Sequence, residues 1–276
     1  MALHPDWLAP VWPAPPHVHS VFTTRVGGVS KPPFDSFNLG RPVGDDESAV
    51  QTNRQRLCDA VGALPVFLSQ VHGVHSVELP GPSDVQSKHL IEADACVSAV
   101  PGVVCAVRVA DCLPVLWTDT QGRVVAATHA GWRGLAGGVV ERSFAHFAQL
   151  LARHGGEEDH AVLATRTLAW LGPCIGPQAF EVGPEVRQAF VATDPGAGHC
   201  FAPLPGGKFL ADLPALARRR LHALGVSRIY GNDGSRTWCT VSNPSRFFSH
   251  RRDSVALGGS GRMAACIWIG QRHSFD

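Results

Sequence analysis

An excess of charge of either sign is missing from this sequence: 24 Lys and Arg stand against 23 Asp and Glu. That balance excludes holding nucleic acid or an anionic membrane by a bulk basic field, so an anionic ligand must be met by local side chains. No apolar run approaches the ~20 residues that a membrane-spanning helix needs. Met1 to Trp7 carry neither a basic n-region nor an apolar h-region, so no secretory signal is expected and the cytoplasm is the default compartment. Linkers, internal repeats and the short Cys/His spacing of zinc fingers are also missing. Eight Cys in a 276-residue chain without a signal make a poor disulfide scaffold, and most read as reduced, buried thiols.

What is present is a mixture of strands and helices. Val21 to Thr24 reads as a strand running into the Gly27-Gly28 turn. Asp45 or Asp46 caps a helix whose Val50, Leu57 and Val61 share a face and which ends near Gly62. Strand-like runs follow at 66–71, 75–79, 93–99, 103–110, 115–118 and 124–128. Helical spacing of Val139, Val140, Phe144, Phe147 and Leu151 predicts one helix from about Leu135 to Arg153. A strand is expected at 161–171, helices at 184–192 and 212–224 with Pro214 in the first turn of the second, and a closing strand at 262–269. Regular strand–helix alternation is absent, which favours an α+β fold, one domain over residues 1–276 with mixed sheets flanked by helices.

Polar residues with chemical potential gather at the ends of the apolar runs. Ser69-Gln-Val-His-Gly73, Val109-Ala-Asp-Cys-Leu113 and Ala127-Thr-His-Ala-Gly-Trp-Arg-Gly134 each place one good zinc ligand where neighbouring strands can bring their tips together. The ligands would be His72, Cys112 and His129. On spacing alone the commoner reading of such a trio is two hydrogen-bonded histidines and a buried thiol.

The surrounding strings change that balance. Phe22-Thr-Thr-Arg-Val-Gly-Gly-Val-Ser30, Asn38-Leu-Gly40, Gln70-Val-His-Gly73, Ala110-Asp-Cys-Leu-Pro114, His129-Ala-Gly-Trp-Arg-Gly134, Gly172-Pro-Cys-Ile-Gly176 and Phe247-Phe-Ser-His-Arg-Arg-Asp253 resemble the bacterial purine nucleoside phosphorylase family, once labelled multicopper polyphenol oxidase or laccase-like. It includes a mammalian macrophage relative and an enzyme linked to peptidoglycan editing. The resemblance implies a layered α/β/β/α fold like that of the cytotoxic necrotizing factor toxin domain, and a zinc ion on His72, Cys112 and His129. It also implies phosphorolysis of adenosine, inosine and methylthioadenosine to free base and ribose 1-phosphate, together with deamination of adenosine. Three protein ligands leave one tetrahedral position open, as in catalytic zinc sites, where a water is acidified to a pKa of about 7.

Purine nucleoside and phosphate are then the expected partners. Arg25, Arg251 and Arg133, in that order, are candidates for phosphate because guanidinium binds it bidentately. Asn38 and Gln70 can hold a ribose hydroxyl or a purine edge, Cys174 can line the pocket from its Gly-rich turn, and His250 can face it beside Arg251. Trp132 can stack on a purine. Asp111 serves either as an acid or base at the metal or as a support for the fold, whereas His75, three residues after His72, points to the other face of a strand. The stretch 254–261 reads as a long, irregular loop. Two rival chemistries stay open: a cysteine hydrolase with Cys112 as nucleophile and His129 as base, acting on a peptidoglycan precursor, and copper-dependent phenol oxidation. The second is disfavoured because Met1 and Met263 are the only methionines and multicopper centres need many more His than these three segments supply.

Overall fold

The computed structural model describes residues 3–41, 43–81, 91–155 and 159–271. In chain order its elements are β1 (Val18–Phe22), α1 (Glu47–Val61), β2 (Pro65–Phe67), β3 (Ser76–Glu78), β4 (Ala95–Ser98), β5 (Val104–Val109), β6 (Leu113–Asp119) and β7 (Val125–Ala130). Then come α2 (Trp132–Gly137), α3 (Val139–Gly155), α4 (His160–Arg166), β8 (Thr167–Leu171), β9 (Glu181–Val182) and α5 (Pro184–Val191). The last are β10 (Phe201–Pro203), β11 (Phe209–Ala211), α6 (Leu213–Ala223), β12 (Arg228–Gly231), α7 (His250–Leu257) and β13 (Met263–Ile269).

Two mixed sheets form the centre. One runs β1-β13-β5-β2 and the other β12-β8-β6-β7-β4-β3, with a small β10-β11-β9 sheet beside them. Because side chains alternate along a strand, β5 sends Cys105 and Val107 inward to meet Leu116 and Ala127 of the second sheet, while Val104 and Ala106 face outward against Leu57 and Val61 of α1. The outer face of the second sheet, with Val115, Trp117 and Ala126, is covered by Phe144, Phe147 and Leu151 of α3 and by Leu216 and Leu221 of α6. The layers are therefore helix, sheet, sheet, helix, an α+β arrangement as expected.

Local chemistry sets the ends of the elements. Asp46 accepts the Ala49 N–H at 2.9 Å, and Gly62 takes the left-handed conformation at φ 70°, so α1 starts and stops where the sequence predicts. The single helix expected from Leu135 is instead two. Gly138, at φ 95°, closes α2 before α3 begins, because consecutive glycines at 137 and 138 favour a break over continuation. The strand expected at 161–171 is corrected likewise: Asp159 caps the helix α4, and only Thr167–Leu171 is strand. Residues 250–257 form α7, capped by Ser249 and ended by Gly258 at φ 75°. The irregular loop expected at 254–261 is thus half helix.

Candidate metal centre

Three chain crossings converge at one end of the second sheet. The β4–β7 register sets Ala95 opposite Thr128, which brings Asp94 beside His129, and the His129 N–H donates to the Asp94 carbonyl at 2.7 Å. The β6–β7 register sets Leu113 opposite Ala130, so Cys112 enters from the neighbouring strand. His72 arrives on the loop between β2 and β3, at φ 61°. One ligand atom each from His72, Cys112 and His129 lie within 4.8 Å of one another, and Cys112 Sγ is 3.7 Å from His72 Nε2.

Asp94, absent from the sequence-based candidates, organises this centre. Its Oδ1 receives the His72 N–H at 3.0 Å and its Oδ2 the Val71 and Gly73 N–H groups at 3.2 and 2.7 Å. Oδ1 also accepts from His129 Nδ1 at 2.8 Å. The bond commits Nδ1 of the buried ring and leaves Nε2 available to a metal ion, the usual way a carboxylate sets a metal-binding imidazole. Burial works against the Asp94 carboxylate, but the bond from His129 and the loop N–H groups outweigh it and hold its pKa below the usual value.

Two glycines of the His129–Gly134 string are required by the same crowding. A Cβ on Gly131 would stand 2.9 Å from His72 Cδ2 and 3.0 Å from Cys112 Sγ, and one on Gly134 would stand 2.8 Å from the Gly73 carbonyl oxygen. A side chain at 131 would displace His72 and Cys112, and one at 134 would displace the backbone of the loop that carries His72.

The donor set, one sulfur and two imidazoles within 4.8 Å of one another, could hold a metal ion, and its donors are of the types that zinc takes. Burial favours the neutral Cys112 thiol, yet His129 foremost and then His72 overcome it and bring its pKa down to about 6. Cys105 and Cys174, buried without such partners, are raised well above the ordinary value. At pH 7, iodoacetamide is therefore expected to alkylate Cys112 selectively in metal-free protein, with the rate falling as pH drops through about 6. Bound metal should protect it; peptide mapping by mass spectrometry provides the check, and equal labelling of Cys105 would contradict the assignment.

A pocket of about 330 Å³ opens on the trio, and Gln70, Arg108, His250 and Arg262 contribute to its wall. Of the binding residues expected from sequence, Gln70 and His250 are there. Gln70 is pinned by exchanging two 2.8 Å bonds with the Arg108 backbone, and His250 Nδ1 lies 2.6 Å from Ser254 Oγ. Five others are elsewhere. Arg25 pairs with Asp35 at 3.1 Å and donates to the Pro244 carbonyl. Arg133 is exposed, with its guanidinium 4.4 Å from the Trp132 ring centroid. Arg251 reaches over Phe180 and donates to the Glu181 carbonyl. Cys174 is fully buried and accepts from Asn232. Asn38 is also buried, its amide consumed by Gly40, Asp45 and Arg262.

Asp111 is a support for the fold. Its carboxylate accepts from Thr240 Oγ1 at 2.5 Å, Ser249 Oγ at 3.0 Å and the Arg251 N–H at 2.6 Å, which ties the Cys112 loop to the start of α7. The pocket arginines Arg108 and Arg262 escaped sequence reasoning because Arg108 sits inside an apolar strand and Arg262 outside every string that drew attention.

Residues 19–270 match a family described as multi-copper polyphenol oxidoreductase laccase. A purine nucleoside phosphorylase of Pseudomonas aeruginosa is 47% identical over 264 residues, covering 95% of this chain and 98% of that protein. The purine nucleoside phosphorylase YfiH of Escherichia coli is 46% identical over the same length and with the same coverage. Among solved structures, a Neisseria meningitidis protein of family DUF152 superposes with a TM-score of 0.84 at 42% identity, covering 96% of this chain and 100% of that one. YlmD from Geobacillus stearothermophilus gives 0.83 at 30% identity, with 98% of each chain covered. With the match spanning nearly all of the chain, and the layered fold shared with those structures, the protein belongs to this laccase-like YfiH/DUF152 family.

Proposed function

We propose that this chain is a zinc-dependent purine nucleoside phosphorylase that cleaves adenosine, inosine and methylthioadenosine to free base and ribose 1-phosphate, and that also deaminates adenosine. The observation that carries the reading is the His72, Cys112, His129 cluster opening on a pocket, in a chain 47% identical to a protein named purine nucleoside phosphorylase. When bound, zinc supplies a Lewis acid able to polarise an oxygen of substrate or co-substrate. The chain's own residues do the rest. Asp94 holds His129 in one tautomer and fixes the loop that carries His72. Gln70, immobilised against the Arg108 backbone, presents a rigid edge to the nucleoside. His250, with Nδ1 engaged by Ser254, has Nε2 left to exchange a proton with the departing purine.

A second reading has its own observation. Cys112, His129 and Asp94 line up as a thiol, a base and an orienting carboxylate, with His129 Nδ1 2.8 Å from Asp94, which is also the arrangement of a cysteine hydrolase. A peptidoglycan precursor would then be the class of substrate. Multicopper oxidation fits the residues poorly. Among the described residues no second group of three or more metal-capable side chains lies within ligand range, and Met263 is buried in the core between the sheets.

The decisive experiment incubates metal-analysed protein with adenosine, with and without phosphate, and separates adenine, inosine and ribose 1-phosphate. Phosphate-dependent adenine formation and phosphate-independent inosine formation are expected. Stoichiometric zinc with no turnover of any purine nucleoside would overturn the reading, and copper-dependent phenol oxidation that survives zinc removal would restore the oxidase.

A further inference from the structure

Arg108 and Arg262 line the metal pocket, and their side-chain hydrogen bonds go to backbone carbonyls. Arg108 Nη2 donates to the Leu68 carbonyl at 2.7 Å, and Arg262 Nη1 to the carbonyls of Ser260 and Gly261 at 2.7 and 3.1 Å. Among the described residues neither guanidinium forms an ion pair. Arg108 Nε is buried and has no acceptor at all. Burial, and then the neighbouring charges of Arg262 and Arg41, pull the Arg108 pKa down to about 10. Two like charges and an orphaned donor on one wall are unfavourable unless an anion joins them.

The chain spends structure on keeping Arg262 there. Asn38 Oδ1 accepts the Arg262 N–H at 2.8 Å and the Gly40 N–H at 2.9 Å. A Cβ on Gly40 would stand 2.7 Å from Arg262 Cγ. The Asn38-Leu-Gly40 turn therefore anchors the Arg262 backbone and clears a path for its side chain. Arg262 also lies within electrostatic reach of Cys112, so the cation wall is continuous with the metal ligands.

We propose that Arg108 and Arg262 form the subsite for free inorganic phosphate, with Asn38 and Gly40 as positioning residues. The assignment rests on the phosphorylase reading for its role in turnover. Two guanidiniums offer forked donors to a tetrahedral dianion and neutralise it. In the reaction, one oxygen of hydrogen phosphate forms the bond to ribose C1′ as the bond from C1′ to the purine nitrogen breaks. The bonding pair leaves with the purine, and the proton that the phosphate carried ends on the base.

The test uses metal-loaded wild type, Arg108→Met, Arg262→Met, Gly40→Ala and, as a control outside the pocket, Arg133→Met. Binding of inorganic phosphate alone is measured by titration calorimetry, and KM values for phosphate and for inosine are measured separately. Loss of a charge-assisted pair should weaken phosphate binding and raise its KM at least about 30-fold in either arginine variant, with the inosine KM moving less than about 3-fold. Gly40→Ala, which displaces Arg262 but keeps its charge, should weaken phosphate binding with metal content and melting temperature held. Phosphate binding unchanged in both arginine variants overturns the subsite. So does a loss seen with adenosine 5′-monophosphate but not with inorganic phosphate, which would assign the pair to a phosphate ester. Arginine-dependent phosphate binding in a protein that cleaves no nucleoside keeps the subsite and removes the phosphorylase reading; phosphorolysis indifferent to both arginines does the reverse.

Discussion

Cys112→Ala is expected to lose stoichiometric metal and at least about 10³-fold in kcat/KM for phosphorolysis, since a Lewis acid at the reacting centre contributes several kcal/mol. The cause is geometric as well as chemical. Sγ of Cys112 is the only thiolate in the cluster, and His72 and His129 alone offer two neutral donors, too few to retain a divalent cation against water. Plasma mass spectrometry of the purified variant, alongside initial rates, gives the result directly. A variant that keeps full metal would remove Cys112 from the ligand set. Full metal combined with lost activity would favour the cysteine-nucleophile reading, because a free nucleophile can be deleted without releasing an ion.

Asp94→Asn should weaken metal binding by about 10- to 100-fold, the range found when a partner of a ligating histidine is removed. The substitution preserves shape yet cannot preserve the bonds. Both oxygens of Asp94 accept N–H donors, Oδ1 from His72 and His129 and Oδ2 from Val71 and Gly73. Either orientation of an asparagine amide sets its NH2 group against two donors. With those donors buried or half-buried, unfolding free energy should fall by about 2 to 4 kcal/mol. Competition with a metal-responsive dye and a urea melt of the metal-free protein separate the two effects. Metal affinity within about 3-fold of wild type would show that His129 is oriented by its own backbone and not by the carboxylate.

The contrast between Asp94 and the His72, Cys112, His129 trio shows how far the sequence could be read. His72, Cys112 and His129 stand in strings long enough to be recognised, each at the end of an apolar run. Asp94 stands alone before β4, and only the β4–β7 register carries it to His129. Arg25, Arg133 and Arg251 drew attention because they lie inside such strings, but a string records crowding around a residue and not the direction of its side chain. Asn38 and Cys174 are in strings for the same reason, as internal hydrogen-bonding and packing residues. Asp111 shows it most plainly: adjacent to Cys112 in sequence, it faces Thr240, Ser249 and Arg251.

While the strings that resemble a known family singled out His72, Cys112 and His129, residue type and periodicity by themselves determined the α+β class, the cap-to-cap span of α1 and most strands of the two large sheets. These depend on neighbours one helical turn or one strand residue away, which a single sequence contains. Tertiary structure alone decided which charged groups meet the pocket. Asp94 and His129 are 35 positions apart, and Arg108 and Arg262 are separated by 154, yet each pair is brought together by strand pairing. Strand register is a property of the folded sheet, fixed by how both faces bury their apolar side chains, so no local stretch of sequence carries it.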